Sequence, residues 1–308
     1  MICSTTRKAL PFAAITMTTA LWGLSFVSTK ILLRTLAPMQ VAFSRHVLAT
    51  AASLAFLAAS GSGKRINAAD LPKVAVAAMI GIPLYFYFEN TALLYTSAAA
   101  ASMITAVTPA IVAVADCAIR RRVPPATTWL GILVSGCGVY FVVQAGGAML
   151  GGADYVRGNL MILVSATAWA AYTIINRPLI QKYGVPTTNA YQITLATVVL
   201  GVLAPKSGLT RQLLSPVVLL NLAYLGILCS ALAYAMYLFA LRALGSTTVT
   251  VFINLVPVFG VLGSALVLGE PVTGAQLVGG CIVLSGILAV NRSTGQAPGR
   301  MRRSGPVV

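Results

Sequence analysis

Ten apolar runs, each about 20 residues long and so able to cross the hydrocarbon core of a bilayer, fill this 308-residue chain. They lie at 10–33, 39–59, 71–94, 97–119, 126–146, 158–177, 187–206, 215–241, 246–268 and 273–291. A backbone in lipid has no water to bond, so each run must satisfy its own N–H and C=O groups as a helix. Composition agrees. With 58% hydrophobic and 8% charged residues and a mean hydropathy of +0.89, a soluble surface could not be built. The net charge of +16 would point to nucleic acid in a soluble chain. Here the basic residues stand between the apolar runs, where they set topology.

The chain also reads twice. A-L-W-G-L-S-F-V-S-T-K, ending at Lys30, returns as T-A-W-A-A-Y-T-I-I-N-R, ending at Arg177, and aligns Trp22 with Trp169. Pro109 then meets Pro257, Gly131 meets Gly279 and Gly138 meets Gly286. Each copy contributes five runs, so the expected units are 10–147 and 158–291, followed by a Gly-, Pro- and Arg-rich tail, 292–308, expected to be disordered and cytoplasmic. Laying the runs alternately across the membrane puts 15 Lys and Arg on one side and 5 on the other, with Arg45 inside a span. The basic side is read as cytoplasmic and holds both termini. Because five is odd, the second copy enters the membrane from the opposite side: the expectation is an all-α integral membrane protein of two inverted five-helix repeats around a central cavity.

Other readings are weaker. The first run follows Arg7 and Lys8 as a signal peptide would, but its length and its match to the sixth run keep it in the chain. Cys3, Cys117, Cys137, Cys229 and Cys281 show no C-x-x-C spacing and are read as small apolar residues. Gly61-Ser62-Gly63-Lys64-Arg65 resembles a phosphate loop only in part, since Ala58 and Arg65 stand where a glycine and a Ser/Thr belong. A single histidine, His46, excludes His-based metal clusters, and no G-x-S-x-G motif is present. No cofactor, metal or nucleic acid is called for.

The Trp22-Gly23 pair, the A-L-L-Y-T-S-A-A-A-A-S run leading to Pro109, and P-V-F-G-V-L-G-S-A-L-V-L-G-E-P at 257–271 resemble EamA-type members of the drug/metabolite transporter superfamily over about residues 10 to 291. The closing Leu268-Gly269-Glu270 is the most specific piece; copy one departs there, with Arg121-Arg122 at the equivalent place. The resemblance implies a secondary carrier whose cavity is lined by helices one, three, four, six, eight and nine. Members include exporters of amino acids, aromatic ones among them, and nucleotide-sugar and sugar-phosphate carriers share the fold.

Candidate residues follow from depth and spacing. Glu89 lies about 10 Å from the middle of its span, where a carboxylate needs a partner or water. Arg45 and Lys30 reach a similar depth, and one of them is expected to pair with Glu89, either as a structural or gating latch or as part of the site. Trp22 with Ser25, Tyr85 with Glu89, Trp169 with Tyr172 and Asn176, Tyr234 with Tyr237, and Thr250 with Asn254 stand at spacings of three, four or seven, each set on one helix face. Combined with the cavity-lining helices that the resemblance implies, these faces make Trp22, Ser25, Tyr85, Glu89, Trp169, Tyr172, Tyr234, Tyr237 and Asn254 the residues expected to bind substrate. Lys30, Arg45, Glu89, Pro109 and Pro257 are expected to gate or to form the ion pair, the prolines as two symmetric kinks. Gly131, Ser135 and Gly138, partly repeated at Gly279 and Gly286, form a small-residue stripe for close packing within the chain or between two copies, leaving monomer and homodimer open.

The reading is a multi-pass carrier of the cytoplasmic membrane that exports amino acids by alternating access, with protons as a co-substrate if Glu89 titrates. The alternatives are a carrier of drugs, sugars or nucleotide-related metabolites and, from another class, a lipid-modifying membrane enzyme.

Overall fold

A computed structural model describes residues 2–295 apart from 62, 120, 122–125, 151, 206–212 and 214. The last helix runs on through 292–295, the first residues of the expected tail, and the tail from 296 onward lies outside the described residues. Among the described residues ten helices follow one another: α1 Ile2–Leu32, α2 Pro38–Ser60, α3 Ala68–Ala92, α4 Ala98–Ile119, α5 Ala126–Leu150, α6 Gly152–Tyr183, α7 Val185–Leu203, α8 Pro216–Gly245, α9 over 246–268 and α10 Gly274–Gly295. No strand occurs among the described residues. α1, α2, α3, α4, α6 and α8 contain segments long and apolar enough to cross a membrane; α5, α9 and α10 carry shorter apolar stretches.

Most turns are short, and two are made by single glycines. Gly184 between α6 and α7 has φ +82°, and Gly245 between α8 and α9 has φ +79°, values that a side chain disfavours. Gly61, part of the phosphate-loop resemblance, is the left-handed cap of α2, so its glycine serves helix termination.

The helices depart from regular α geometry at matching places in the two halves. α3 widens into a π segment at Ile80–Leu84, and α8 does so at Tyr224–Leu232. α4 stops at Thr105 and restarts at Thr108; α9 stops at Ile253 and restarts at Val256. Pro109 and Pro257, the two predicted kink sites, each follow such a short interruption, in which Ala106 and Leu255 keep α-region backbone. Each proline sits in the first turn of the restarted helix, where its missing N–H costs nothing, but the carbonyl four residues back loses its donor. In α4 the Thr108 hydroxyl donates to the Thr105 carbonyl at 2.7 Å. The matching residue in α9, Val256, has no hydroxyl to do so.

α5 packs against α10. A Cβ on Gly138 would stand 2.5 Å from the Val283 nitrogen and 2.7 Å from the Gly279 carbonyl; one on Gly279 would stand 2.9 Å from the Val142 nitrogen. Gly138 and Gly279 are therefore spent inside the chain, and that part of the stripe is not free to join two copies. Without a hydrophobic force between helices in lipid, such close backbone approach supplies the packing that holds them. Gly279→Leu is expected to reduce sharply the monodisperse protein recovered by size-exclusion chromatography. Gly136→Leu, where an added Cβ meets nothing within 4 Å, should leave the recovery unchanged.

Candidate functional site

Six aromatic rings from four helices meet in the interior. Trp169 of α6 is the hub: its ring centroid lies 5.0 Å from Trp22 of α1, 5.4 Å from Tyr85 of α3, and 5.2 Å from both Tyr234 and Tyr237 of α8. Tyr172 stands 4.9 Å away on the same helix. The Trp22–Trp169 and Trp169–Tyr234 pairs are edge-to-face, the arrangement that the ring quadrupole favours. The polar tips are satisfied elsewhere. Trp22 Nε1 donates to the Cys229 carbonyl at 3.0 Å, in the π segment of α8, and Tyr234 donates to the Gly81 carbonyl at 3.3 Å, in the π segment of α3. The widened turns thus offer carbonyls to the aromatic cluster.

The cluster borders a cavity of about 40 Å³. A water needs roughly 10–15 Å³ of such space, so this conformation holds a few waters at most and no metabolite. Trp22, Ser25, Tyr85, Glu89, Trp169 and Tyr234 line it, together with Arg45. Tyr172 and Tyr237 stand one ring behind. Tyr172 donates to Gln192 at 3.2 Å, and Tyr237 shares a 2.7 Å hydrogen bond with Thr173. Asn254 sits in the α9 break, 8% exposed, and neither its Oδ1 nor its Nδ2 has a partner. Sequence spacing missed Phe26, Phe86, Thr105, Ile253 and Val256, which also line the cavity. For Thr105 and Ile253 a signal was available, since each lies four residues before a matched proline.

The expected ion pair of Glu89 with Lys30 or Arg45 is not formed. Glu89, 4% exposed, accepts a hydrogen bond from the Tyr85 hydroxyl one helical turn earlier. Arg45, 2% exposed, is held by Ser230 Oγ at 2.9 Å and the Leu225 carbonyl at 3.4 Å, with its guanidinium 4.4 Å from the Phe86 centroid. Both charges face the same cavity without joining. Lys30 pairs instead with Glu270 at 2.9 Å and donates to the Thr96 carbonyl. Depth along a span placed Lys30 level with Glu89, but the packing of α1 turns it toward the end of α9.

Glu270, the acid of the Leu-Gly-Glu sequence, ties several elements together. Its other oxygen accepts the Ala98 N–H at 3.0 Å, at the start of α4, and the Ser264 hydroxyl. A second ion pair closes the opposite, basic end: Lys182 of α6 with Asp70 of α3, which also accepts from Tyr183. An ion pair thus stands at each end of the bundle with the small cavity between them, and the Lys182–Asp70 pair is partly exposed. His46 packs edge-on against Phe86 and bonds the Ala42 carbonyl at 2.7 Å. No group of three or more His, Cys, Asp or Glu is arranged to hold a metal ion among the described residues.

The EamA-like transporter family matches residues 10–144 and 156–292, once over each half. The chain belongs to this family. Relatives include a protein of Archaeoglobus fulgidus named an uncharacterized transporter, 29% identical and matched over 88% of this chain and 93% of its own. A "probable terminal-alkyne amino-acid exporter" of Streptantibioticus cattleyicolor is 26% identical over 91% of this chain and 93% of its own. A "probable amino-acid metabolite efflux pump" of Salmonella typhimurium is 24% identical over 86% and 89%. A crystal structure with a TM-score of 0.64 and 19% identity covers 96% of this chain and 98% of its own, and shares the fold. This EamA protein is thus a multi-pass membrane transporter, and the names of the family and its relatives indicate transport rather than enzymatic activity.

Glu270→Ala would strand the Ala98 N–H and the Ser264 hydroxyl, each worth about 1–3 kcal/mol when unsatisfied, while Lys30 is partly exposed and keeps the Thr96 carbonyl. The variant's thermal midpoint in detergent is expected to fall clearly below that of wild type. Lys30→Ala should lower the midpoint less, because it leaves the Ala98 N–H and the Ser264 hydroxyl bonded to Glu270.

Proposed function

We propose that this protein exports amino acids with apolar or aromatic side chains across the cytoplasmic membrane by alternating access, with both termini cytoplasmic. The observation that carries this reading is one buried guanidinium and one buried carboxylate, Arg45 and Glu89, facing a single aromatic-lined cavity without pairing. A zwitterion neutralises both. Its carboxylate suits the planar donor fork of Arg45 and its ammonium suits Glu89. A singly charged drug or a sugar phosphate would leave one buried charge without a counterpart, which is costly in an interior. The rings of Trp22, Trp169, Tyr85 and Tyr234 would then take an apolar side chain, and the names of two relatives point to amino acids as well.

The cavity must widen to admit such a substrate, and the two latches are suited to release in turn. With the Asp70–Lys182 end open, a substrate enters from the cytoplasm; with the Lys30–Glu270 end open, it leaves. The breaks at Pro109 and Pro257 and the unpartnered amide of Asn254 give the walls points at which to bend and a polar group to engage. Glu89 can hold either the substrate ammonium or a proton, and that exclusion would couple export to proton uptake from outside. A proton displaces the ammonium when the site faces out, and the ammonium displaces the proton when it faces in.

Counterflow in liposomes tests the reading. Labelled phenylalanine should accumulate in vesicles preloaded with unlabelled phenylalanine, and neither phenethylamine, which lacks the carboxylate, nor 3-phenylpropionate, which lacks the ammonium, should drive it. Arg45→Lys should weaken exchange by about tenfold or more, the scale of one lost charge-assisted hydrogen bond. Glu89→Gln should abolish the pH dependence of exchange. Equal exchange with all three compounds, or a pH profile unchanged in Glu89→Gln, would refute the assignment.

A further inference from the structure

A second and larger concavity lies away from the aromatic cavity. It is a trough of about 860 Å³ in the outer wall, bounded by α1 and α8 with Phe56 of α2 and Val185 and Pro186 of α7 at one end. On α8 its residues run from Leu232 through Ala235, Met236 and Phe239 to Arg242 and Ala243. These positions recur at helical spacing, so they form one stripe. Facing alanines, Ala13 and Ala14 on α1 and Ala235 and Ala243 on α8, hollow the trough where larger side chains would fill it. Leu10, Met17, Phe56 and Leu232 along it are exposed at the surface of the bundle, which in a membrane is the lipid-facing surface.

Its length identifies what it fits. From Leu232 to Ala243 is eleven residues, about 16 Å at 1.5 Å per residue, and one leaflet of the hydrocarbon core is about 15 Å. On α8 the trough starts near the middle of the helix and ends in its last turn, on the side that loop charge marks as basic. At that end stands Arg242, the one charged residue among the described residues lining it. Arg242 is exposed, and no described residue forms an ion pair or hydrogen bond with it. An apolar channel one leaflet long that ends at an unpaired guanidinium is the outline of a phospholipid, with acyl chain along the trough and phosphate at the arginine.

We infer that this trough binds an anionic phospholipid of the leaflet on the basic side. The site is distinct from the transport cavity but shares a wall with it. Helix α8 presents Met236 and Phe239 to the trough and Tyr234 to the aromatic cavity, so a lipid in the trough steadies the helix that carries part of the substrate site.

Native mass spectrometry of the full-length protein, released from mixed micelles of phosphatidylglycerol and phosphatidylcholine with identical acyl chains, tests this directly. Wild type is expected to retain one lipid, with phosphatidylglycerol favoured about fivefold, the effect of one basic side chain at an anionic surface. Arg242→Gln should bring the two lipids to parity. Ala235→Phe, which fills the trough and leaves Arg242 in place, should remove the retained lipid. The inference is overturned if no lipid is retained, or if retention and preference are unchanged in both variants. It is also overturned if Ala235→Phe alters only the oligomeric state, which would make the trough a contact between copies, or if labelled phenylalanine displaces the lipid, which would make it a path for substrate. Because the readout is bound lipid rather than flux, it stands or falls independently of the amino-acid assignment.

Discussion

A backbone embedded in lipid must close its own hydrogen bonds, and the few places where this chain fails to do so as a regular α-helix are where its interior chemistry gathers. The π segments of α3 and α8 supply the carbonyls of Gly81 and Cys229 to Tyr234 and Trp22. The breaks in α4 and α9 put Thr105, Ile253 and Val256 in the cavity wall. Each irregularity costs helix stability and is tolerated because it is buried in protein. The π segments of α3 and α8 and the interruptions of α4 and α9 come in pairs from the two halves, whereas the π segment at Ser264–Leu268 of α9 has no partner among the described residues of α4.

Within that symmetric frame the charges are asymmetric. Glu89 and Arg45 have no charged counterparts in the other half, where Tyr237 and Ile193 stand at the repeat positions. The fold therefore does not require them, and burying both at 4% and 2% exposure has to be offset by their local partners. The Lys30–Glu270 latch is asymmetric too, because copy one has arginine at the position of Glu270. A scaffold built by repetition has been given polarity by a handful of side chains that do not repeat.

Much of this was legible in the sequence for a simple reason. Apolar run length and the twofold reading are local or periodic properties, and a backbone in a bilayer can answer them only with helices. The aromatic cluster was legible in part, since spacing of three, four or seven puts Trp169 and Tyr172, or Tyr234 and Tyr237, on common faces. Spacing could not say which ring of each pair is nearer the cavity. It also could not reveal Phe86 beneath Arg45, because that contact joins α2 to α3 across the bundle.

The sequence by itself determined the helical class, the two repeated halves and the position of each charge along its own helix, because these are properties of single segments and their repetition. Only the tertiary structure decided how the charges pair. Rotation of α1 about its axis and the return of α9 bring Glu270 to Lys30 and leave Glu89 to Tyr85. Azimuth about a helix is set by what packs on its neighbours, here by backbone approaches such as Gly226 against Arg45, where a Cβ would stand 2.6 Å from the carbonyl. Depth is a property of one segment, whereas partnership is a property of the packed bundle.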